Sequence, residues 1–231
     1  MIAVTFDVGQ VLLAFDAGFL AEKLSALGHG ADARRLEEAE PAAWEAYGRA
    51  LGEGGHGAVA WKLFLLTLMT EGGAPAAATP QVLDALFLDQ REHNVWRRPV
   101  EGVIEIAREL RASGVPVGIV SNSEGALERL LAQVGYAADF DCVADSGVLG
   151  MEKPGPEIFR WAADRLRVRA EELVHVGDSW AGDVEGALGV GARAIWFPAI
   201  EPGREAAGVA CARSPREIRS ALARWGAPIA A

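Results

Sequence analysis

Sulfur is scarce in this chain of 231 residues, positive charge is outnumbered, and no long apolar run is present. The two cysteines, Cys142 and Cys211, make neither a metal-binding spacing nor a disulfide framework, and they fit a reducing compartment. Lysine and arginine number 22 against 32 acidic residues, a net charge of −10. So acidic a chain argues against nucleic acid or an anionic membrane surface as partner, and an anionic substrate would have to be met by local positive groups. The longest apolar stretch, Ala58 to Met69, is broken by Lys62 and too short to span a bilayer. No charged leader or cleavage site precedes Ile2, so a cytoplasmic location is expected. The four histidines, His29, His56, His93 and His175, lack metal-ligand spacing, and no repeat recurs. Hydrophobic residues at 51% and charged residues at 23% give a globular composition with ample length for a core.

What is there begins with Ile2-Ala3-Val4-Thr5-Phe6-Asp7. Its apolar, partly β-branched run without alternation predicts a strand covered on both faces, with Asp7 at its carboxyl end and Gly9 allowing a tight turn after it. Val11 to Asp16 fits no element firmly. From Asp16 to about Trp96 every pattern is helical: Asp16–Leu27, a helix from Asp32 past Leu51, His56–Glu71, and a helix capped by Thr79 with Pro80 in its first turn. Gly54-Gly55-His56-Gly57 reads as a helix-breaking turn, and Trp44, Tyr47, Trp61 and Trp96 as interior residues of this unit. Arg97-Arg98 reads as a solvated linker.

The pattern then alternates. Helices are predicted over Pro99–Ser113, Glu124–Gln133, Pro156–Arg167 and Asp183–Gly189. Strands are predicted over Val115–Val120, Phe140–Ala144, Leu173–Val176 and Ala192–Phe197. A last helix opens at Ser214-Pro215-Arg216-Glu217, with Ser214 as cap and Glu217 at the capping-box position. The expected fold class is α/β, a three-layer Rossmann-like parallel sheet core of residues 1–15 and 99–231, with an all-helical cap inserted over residues 16–98.

Three of these strands run into polar clusters: Asp7; Ser121-Asn122; and Gly177-Asp178, with Asp183 five residues on. A parallel sheet places such ends on one edge, where ligands bind in open α/β sheets. Lys153, in a loop feeding a helix, can reach the same edge. Carboxylates from Asp7, Asp178 and Asp183 suit Mg²⁺. Ser121 and the amides of Asn122 and Ser123, read as the start of a helix, suit an anion. Lys153 would balance charge between a phosphate and the carboxylates, and Asp7 would attack phosphorus to form an aspartyl-phosphate. Each part has a plainer reading as well. Ser121-Asn122 is also a helix cap, Lys153 a solvated loop lysine, Asp178 and Asp183 favourable first-turn acids, and His175 a packed core residue. The joint occurrence at successive strand ends is what argues for a site.

These segments resemble the haloacid dehalogenase (HAD) superfamily. The resemblance rests on Phe6-Asp7-Val8-Gly9-Gln10-Val11-Leu12, Ile119-Val120-Ser121-Asn122, Lys153-Pro154 and, most specifically, His175-Val176-Gly177-Asp178-Ser179-Trp180-Ala181-Gly182-Asp183-Val184-Glu185-Gly186-Ala187. It covers Ile2 to Phe197, and the helical insertion resembles the helical cap of the first subfamily. The resemblance implies that Asp7 is the nucleophile. Ser121 and Lys153 would bind phosphate, and Asp178 would be the main acidic metal ligand with Asp183 nearby. The main-chain carbonyl of Gly9 would complete the metal site.

The pattern also departs from the family. Most phosphatases of this superfamily carry a second aspartate two residues after the nucleophile, as proton donor to the leaving oxygen; here Gly9 stands there. A positioned general acid–base is worth roughly 10²–10⁴ in rate, so slow turnover is expected. Gln10 and Val11 replace the usual Gly and Thr. The reading that follows is a Mg²⁺-dependent phosphohydrolase acting on a small phosphorylated metabolite. The alternatives are a catalytically weak member that binds a phosphorylated ligand or a protein partner, and a 2-haloacid dehalogenase, which uses the same nucleophile without metal.

Overall fold

The computed structural model describes residues 2–53, 57–197 and 206–230. Residues 54–56 of the glycine-rich turn lie outside the described residues. The chain forms two compact units, Met1–Ala14 with Arg98–Ala231, and Phe15–Arg97.

The first unit is built on strands β1 (Ala3–Phe6), β4 (Val117–Ser121), β5 (Cys142–Asp145), β6 (Leu173–Gly177), β7 (Arg193–Trp196) and β8 (Val209–Cys211), in the order β5-β4-β1-β6-β7-β8. Every ladder in this sheet is parallel. The central strands β1, β4 and β6 are buried at every position. Their near-continuous apolar sequences therefore record helices on both sides, as in parallel sheets generally.

Helix α8 (Pro156–Leu166) covers β4 and β5 with the stripe Ile158, Phe159, Ala162, Ala163 and Leu166. Helices α5 (Val103–Ala112) and α10 (Pro215–Arg224) pack on each other, and α5 packs on β4. Helices α6 (Leu127–Gln133), α7 (Ser146–Leu149) and α9 (Glu185–Leu188) are short. Ser214 caps α10 as its sequence implies, while the Glu217 carboxylate goes one residue upstream of the amide that a capping box uses. Ser214 accepts from the Glu217 amide, and the Glu217 carboxylate reaches back to the Arg213 amide at 2.7 Å. The α/β class with a parallel sheet is the one read from the sequence.

The second unit contains α1 (Ala17–Ala26), α2 (Ala33–Gly52), α3 (Gly57–Glu71) and α4 (Pro80–Asp89). Asp16 and Thr79 cap α1 and α4 by accepting from Phe19 and Val82 amides. Leu20, Leu24, Leu36, Phe64, Leu65, Leu68 and Met69 make its core. Trp61 is buried there, while Trp44, Tyr47 and Trp96 are partly buried against it. Strands β2 (Leu13–Phe15) and β3 (Trp96–Pro99) pair as a separate two-stranded sheet.

Several local expectations are corrected. Arg97 and Arg98 lie in strand β3, not in a bare linker, and α5 starts at Val103 instead of Pro99. Four residues ending in proline carry no periodicity that would reveal a strand. The predicted helix at Asp183 is a π-turn over Trp180–Val184 followed by α9. Strand β8 has three residues, too few for a pattern, and was not anticipated. Among the described residues, no helix is long and apolar enough to cross a membrane.

Candidate active site

Strands β1, β4 and β6 are neighbours and parallel, so their carboxyl ends share one edge of the sheet. Asp7 directly follows β1, and its amide donates to the Val176 carbonyl at 2.8 Å, which locks it beside β6. Ser121 is buried at the end of β4. Gly177 ends β6, and Asp178 follows it. Asp183 returns to this edge through the π-turn, a device that often re-aims side chains at functional sites.

Asp7, Asp178 and Asp183 each offer a carboxylate oxygen, and these three oxygens lie within 4.8 Å of one another. Lys153 Nζ stands 2.9 Å from Asp7 Oδ1 and 2.5 Å from Asp183 Oδ1. The ammonium and the Asp183 carboxylate are almost completely buried. Burial alone would drive both groups neutral. For Lys153 the fields of Asp183 and Asp7 overcome that and raise its pKa. For Asp183 the neighbouring Lys153, then His175, hold its carboxyl well below the usual carboxylate range. For Asp178 the field of Lys153 is outweighed. Burial first, then the negative charges of Asp183 and Asp7, push its pKa well above the ordinary value.

This donor set fits a divalent cation. Three carboxylates face one ammonium, so the cluster is two charges short of balance when all are ionised. Asp178 makes no ion pair among the described residues. Asp7 Oδ1 is buried with no aligned hydrogen-bond donor, its lysine contact being an ion pair only. All the candidate ligands are hard oxygens, the chemistry Mg²⁺ selects.

Gly9 contributes only main chain. The loop after Asp7 closes tightly, with the Leu12 and Leu13 amides both donating to the Val8 carbonyl and Gln10 at φ 57°. No carboxylate occupies the position two residues past Asp7.

Asn122 departs from its predicted place. Its side chain clamps the loop carrying the lysine: Nδ2 donates to the Lys153 carbonyl at 3.0 Å, and Oδ1 accepts from the Lys153 amide at 2.8 Å. The amides of Asn122 and Ser123 do not open a helix, because α6 begins only at Leu127. The Ser123 amide donates to Ser146 Oγ at 2.9 Å. The reason lies in Asp145, which accepts from the Leu127 and Gly147 amides and from Ser123 Oγ, so the cap of α6 comes from the end of β5. The Lys153–Pro154 peptide is cis.

Four contributors were not recognised from sequence as part of the site. The Ser179 amide donates to Asp183 Oδ2 at 2.9 Å. Trp196 Nε1 donates to the Asp178 carbonyl at 2.7 Å and fixes the turn that carries it. His175 Nε2 meets Asp183 Oδ1 at 2.9 Å, and Thr5 Oγ1 meets His175 Nδ1 at 2.9 Å. Thr5 and His175 did leave a signal, as single polar residues inside otherwise apolar central strands. Trp180 packs edge-on against Trp196 and donates to Glu185.

The sequence profile of haloacid dehalogenase-like hydrolases matches residues 2–191. The chain belongs to this family. It is 34% identical over 143 residues to haloacid dehalogenase-like hydrolase domain-containing protein 3 of Mus musculus, covering 62% of this chain and 57% of that protein. It is 32% identical over 136 residues to a phosphoserine phosphatase of Thermus thermophilus, covering 58% of this chain and 53% of that one. The match thus spans little more than half the length of these curated relatives. A crystal structure of a HAD phosphatase from Thermococcus onnurineus superposes with a TM-score of 0.63 at 24% identity over the full length of both chains, a likeness of fold.

Proposed function

We propose that this HAD hydrolase is a phosphohydrolase that acts on a small phosphorylated metabolite through an aspartyl-phosphate on Asp7. The observation that carries the reading is the meeting of Asp7, Asp178, Asp183 and Lys153 at one strand edge, with three carboxylate oxygens inside 4.8 Å and the lysine 2.9 Å from Asp7. A relative of the same family being a phosphoserine phosphatase supports it. The acidic balance of the chain supports a small substrate over nucleic acid.

In this reading an Asp7 carboxylate oxygen attacks phosphorus, and the bond from phosphorus to the ester oxygen breaks. With glycine at residue 9, the leaving oxygen takes its proton from solvent. Water then attacks phosphorus, the bond to Asp7 breaks, and inorganic phosphate leaves. Lys153 holds positive charge against the phosphoryl oxygens, and Ser121 contacts them from the end of β4. Asn122 serves by fixing the main chain of Lys153. Asp7, Asp178 and the Gly9 carbonyl would hold Mg²⁺, with Asp183 beside it, and the ion would supply charge neutralisation for the transferring phosphoryl group. The helical unit, bounded at 16–98 in the sequence and at 15–97 in the structure, is read as the cap that selects the substrate.

The test is hydrolysis of para-nitrophenyl phosphate, whose leaving group needs no protonation. Activity is expected with Mg²⁺ and lost both in Asp7→Asn and on chelation. Turnover that survives Asp7→Asn would sink the reading. Halide release from a 2-haloacid in the presence of chelator would replace it with the dehalogenase.

A further inference from the structure

Two polar side chains sit fully buried in strands that are otherwise apolar: Thr5 in Ala-Val-Thr-Phe of β1, and His175 in Leu-Val-His-Val-Gly of β6. The parallel register makes them direct partners, though 170 residues separate them in the chain. Packing alone does not call for this pair, since the flanking positions are filled by Val4, Phe6, Val174 and Val176. What the pair does is reach outward. Thr5 Oγ1 meets Nδ1 of the ring, and Nε2 meets Asp183 Oδ1, which also receives Lys153 Nζ. The chain of contacts ends at Asp7 Oδ1.

We infer that Thr5 and His175 form a positioning pair for the proposed reaction, holding the Asp183 carboxylate so that Lys153 stays beside Asp7. The inference rests on the phosphohydrolase reading above. The Asp183 carboxylate is fixed from several directions. Its Oδ2 is held by the Ser179 amide, and its Oδ1 by Lys153 and His175. Gly177 leaves room beneath it, for a Cβ there would lie 2.2 Å from Asp183 Cγ. A carboxylate only accepts, so Nε2 carries the hydrogen of that bond. Rotation of the ring by half a turn would aim Cε1 at Asp183 instead of Nε2. The Thr5 bond at Nδ1 opposes that rotation, and Phe159 packs edge-on against the ring at 5.2 Å. Such partners behind the groups that touch substrate commonly tune a site by large factors.

Thr5→Val removes the hydroxyl at constant shape. It is expected to lower kcat on para-nitrophenyl phosphate about tenfold, with KM moving less than about twofold and Thr5→Ser restoring most of the loss. His175→Phe is expected to lower kcat by about 10–100-fold, and His175→Gln, which retains an N–H donor, by less. Adding Thr5→Val to His175→Phe should change nothing further, because the hydroxyl then has no ring nitrogen to hold. A second readout needs no turnover. In ¹⁵N-histidine NMR of the metal-free protein, a slowly exchanging Nε2–H is expected in wild type and Thr5→Ser, shifted in Thr5→Val. Full kcat in Thr5→Val with only a lowered unfolding midpoint would overturn the inference, as would an Nδ1–H in place of Nε2–H. If Thr5→Val does not fold, Thr5→Ala, which also removes the hydroxyl, carries the same comparison against Thr5→Ser. A wild-type protein without turnover would refute the phosphohydrolase reading, and the NMR result would still decide whether the pair orients Asp183.

Discussion

Gly177 and Asp183 are packed so closely that a methyl group on the glycine would overlap the carboxylate, with 2.2 Å to Cγ and 2.6 Å to Oδ2. Glycine here is a requirement of space and not of backbone angle. Gly177→Ala is therefore expected to displace Asp183, and with it Lys153. The expected loss is about 10–100-fold in kcat, with a stability cost of about 1–3 kcal/mol from overpacking. Steady-state kinetics beside thermal unfolding would check both; an alanine variant with wild-type kcat would contradict the geometry.

Asp178 is placed where its charge is unwelcome without a cation, between burial and two further carboxylates. Mg²⁺ at 100 times its dissociation constant is expected to stabilise the wild type by about 2.7 kcal/mol. Asp178→Asn should abolish that increment while leaving the metal-free protein as stable as wild type or more so, a trade of stability against function. Differential scanning calorimetry with and without Mg²⁺ reads both effects. An undiminished Mg²⁺ shift in Asp178→Asn would remove Asp178 from the ligand set.

Asn122 gives a sharper test of position against contact. If its amide clamps Lys153, as the reciprocal bonds at 3.0 and 2.8 Å show, then Asn122→Ala loses two hydrogen bonds in the empty protein. A destabilisation of about 1–3 kcal/mol is expected from denaturant titration. A side chain that served only to bind substrate phosphate would leave the unliganded stability unchanged.

In the helical unit, Asp89 pairs with Lys23 and lies 2.9 Å from His93 Nδ1. Burial works against its charge, but Lys23 and His93 outweigh it and hold the carboxyl below its ordinary value. A depressed pKa stabilises the fold above the unfolded value and loses that contribution as pH falls through the folded one. With the carboxylate a third exposed, the effect is about 0.5–1 kcal/mol. The stability difference between wild type and Asp89→Asn is thus expected to be full at pH 6–7 and to fade below about pH 4. Urea titrations across that range would show it, and a difference that grows in acid would contradict the assignment.

The central strands β1, β4 and β6 were legible because burial on both faces leaves an unbroken apolar run, and Asp7 stood out as the carboxylate ending one. The start of α6 was not legible, because its cap is Asp145, on another strand 18 residues later. Asn122 and Ser123 looked like cap residues for the same reason: small polar side chains at a strand end suit either a helix or a loop clamp, and only the partner decides. Thr5 and His175 read separately as ordinary buried polar residues. Their meaning lies in a register that joins residues 170 apart, and local pattern carries no information on that scale.

Strand β1 lies in the middle of the sheet, yet its two neighbours are far downstream in the chain. On a ribosome, Phe6 is made 111 residues before Val117 and 171 before Gly177. At about 5–20 residues per second, this strand waits on the order of ten to thirty seconds for its second hydrogen-bonded flank. Until β4 is made, a short, uncharged, β-prone segment has neither edge occupied, and until β6 is made one edge stays open, the condition under which nascent chains stick to one another. The residue that ends it, Asp7, therefore also places a negative charge beside a sticky segment long before it has any chemistry to perform.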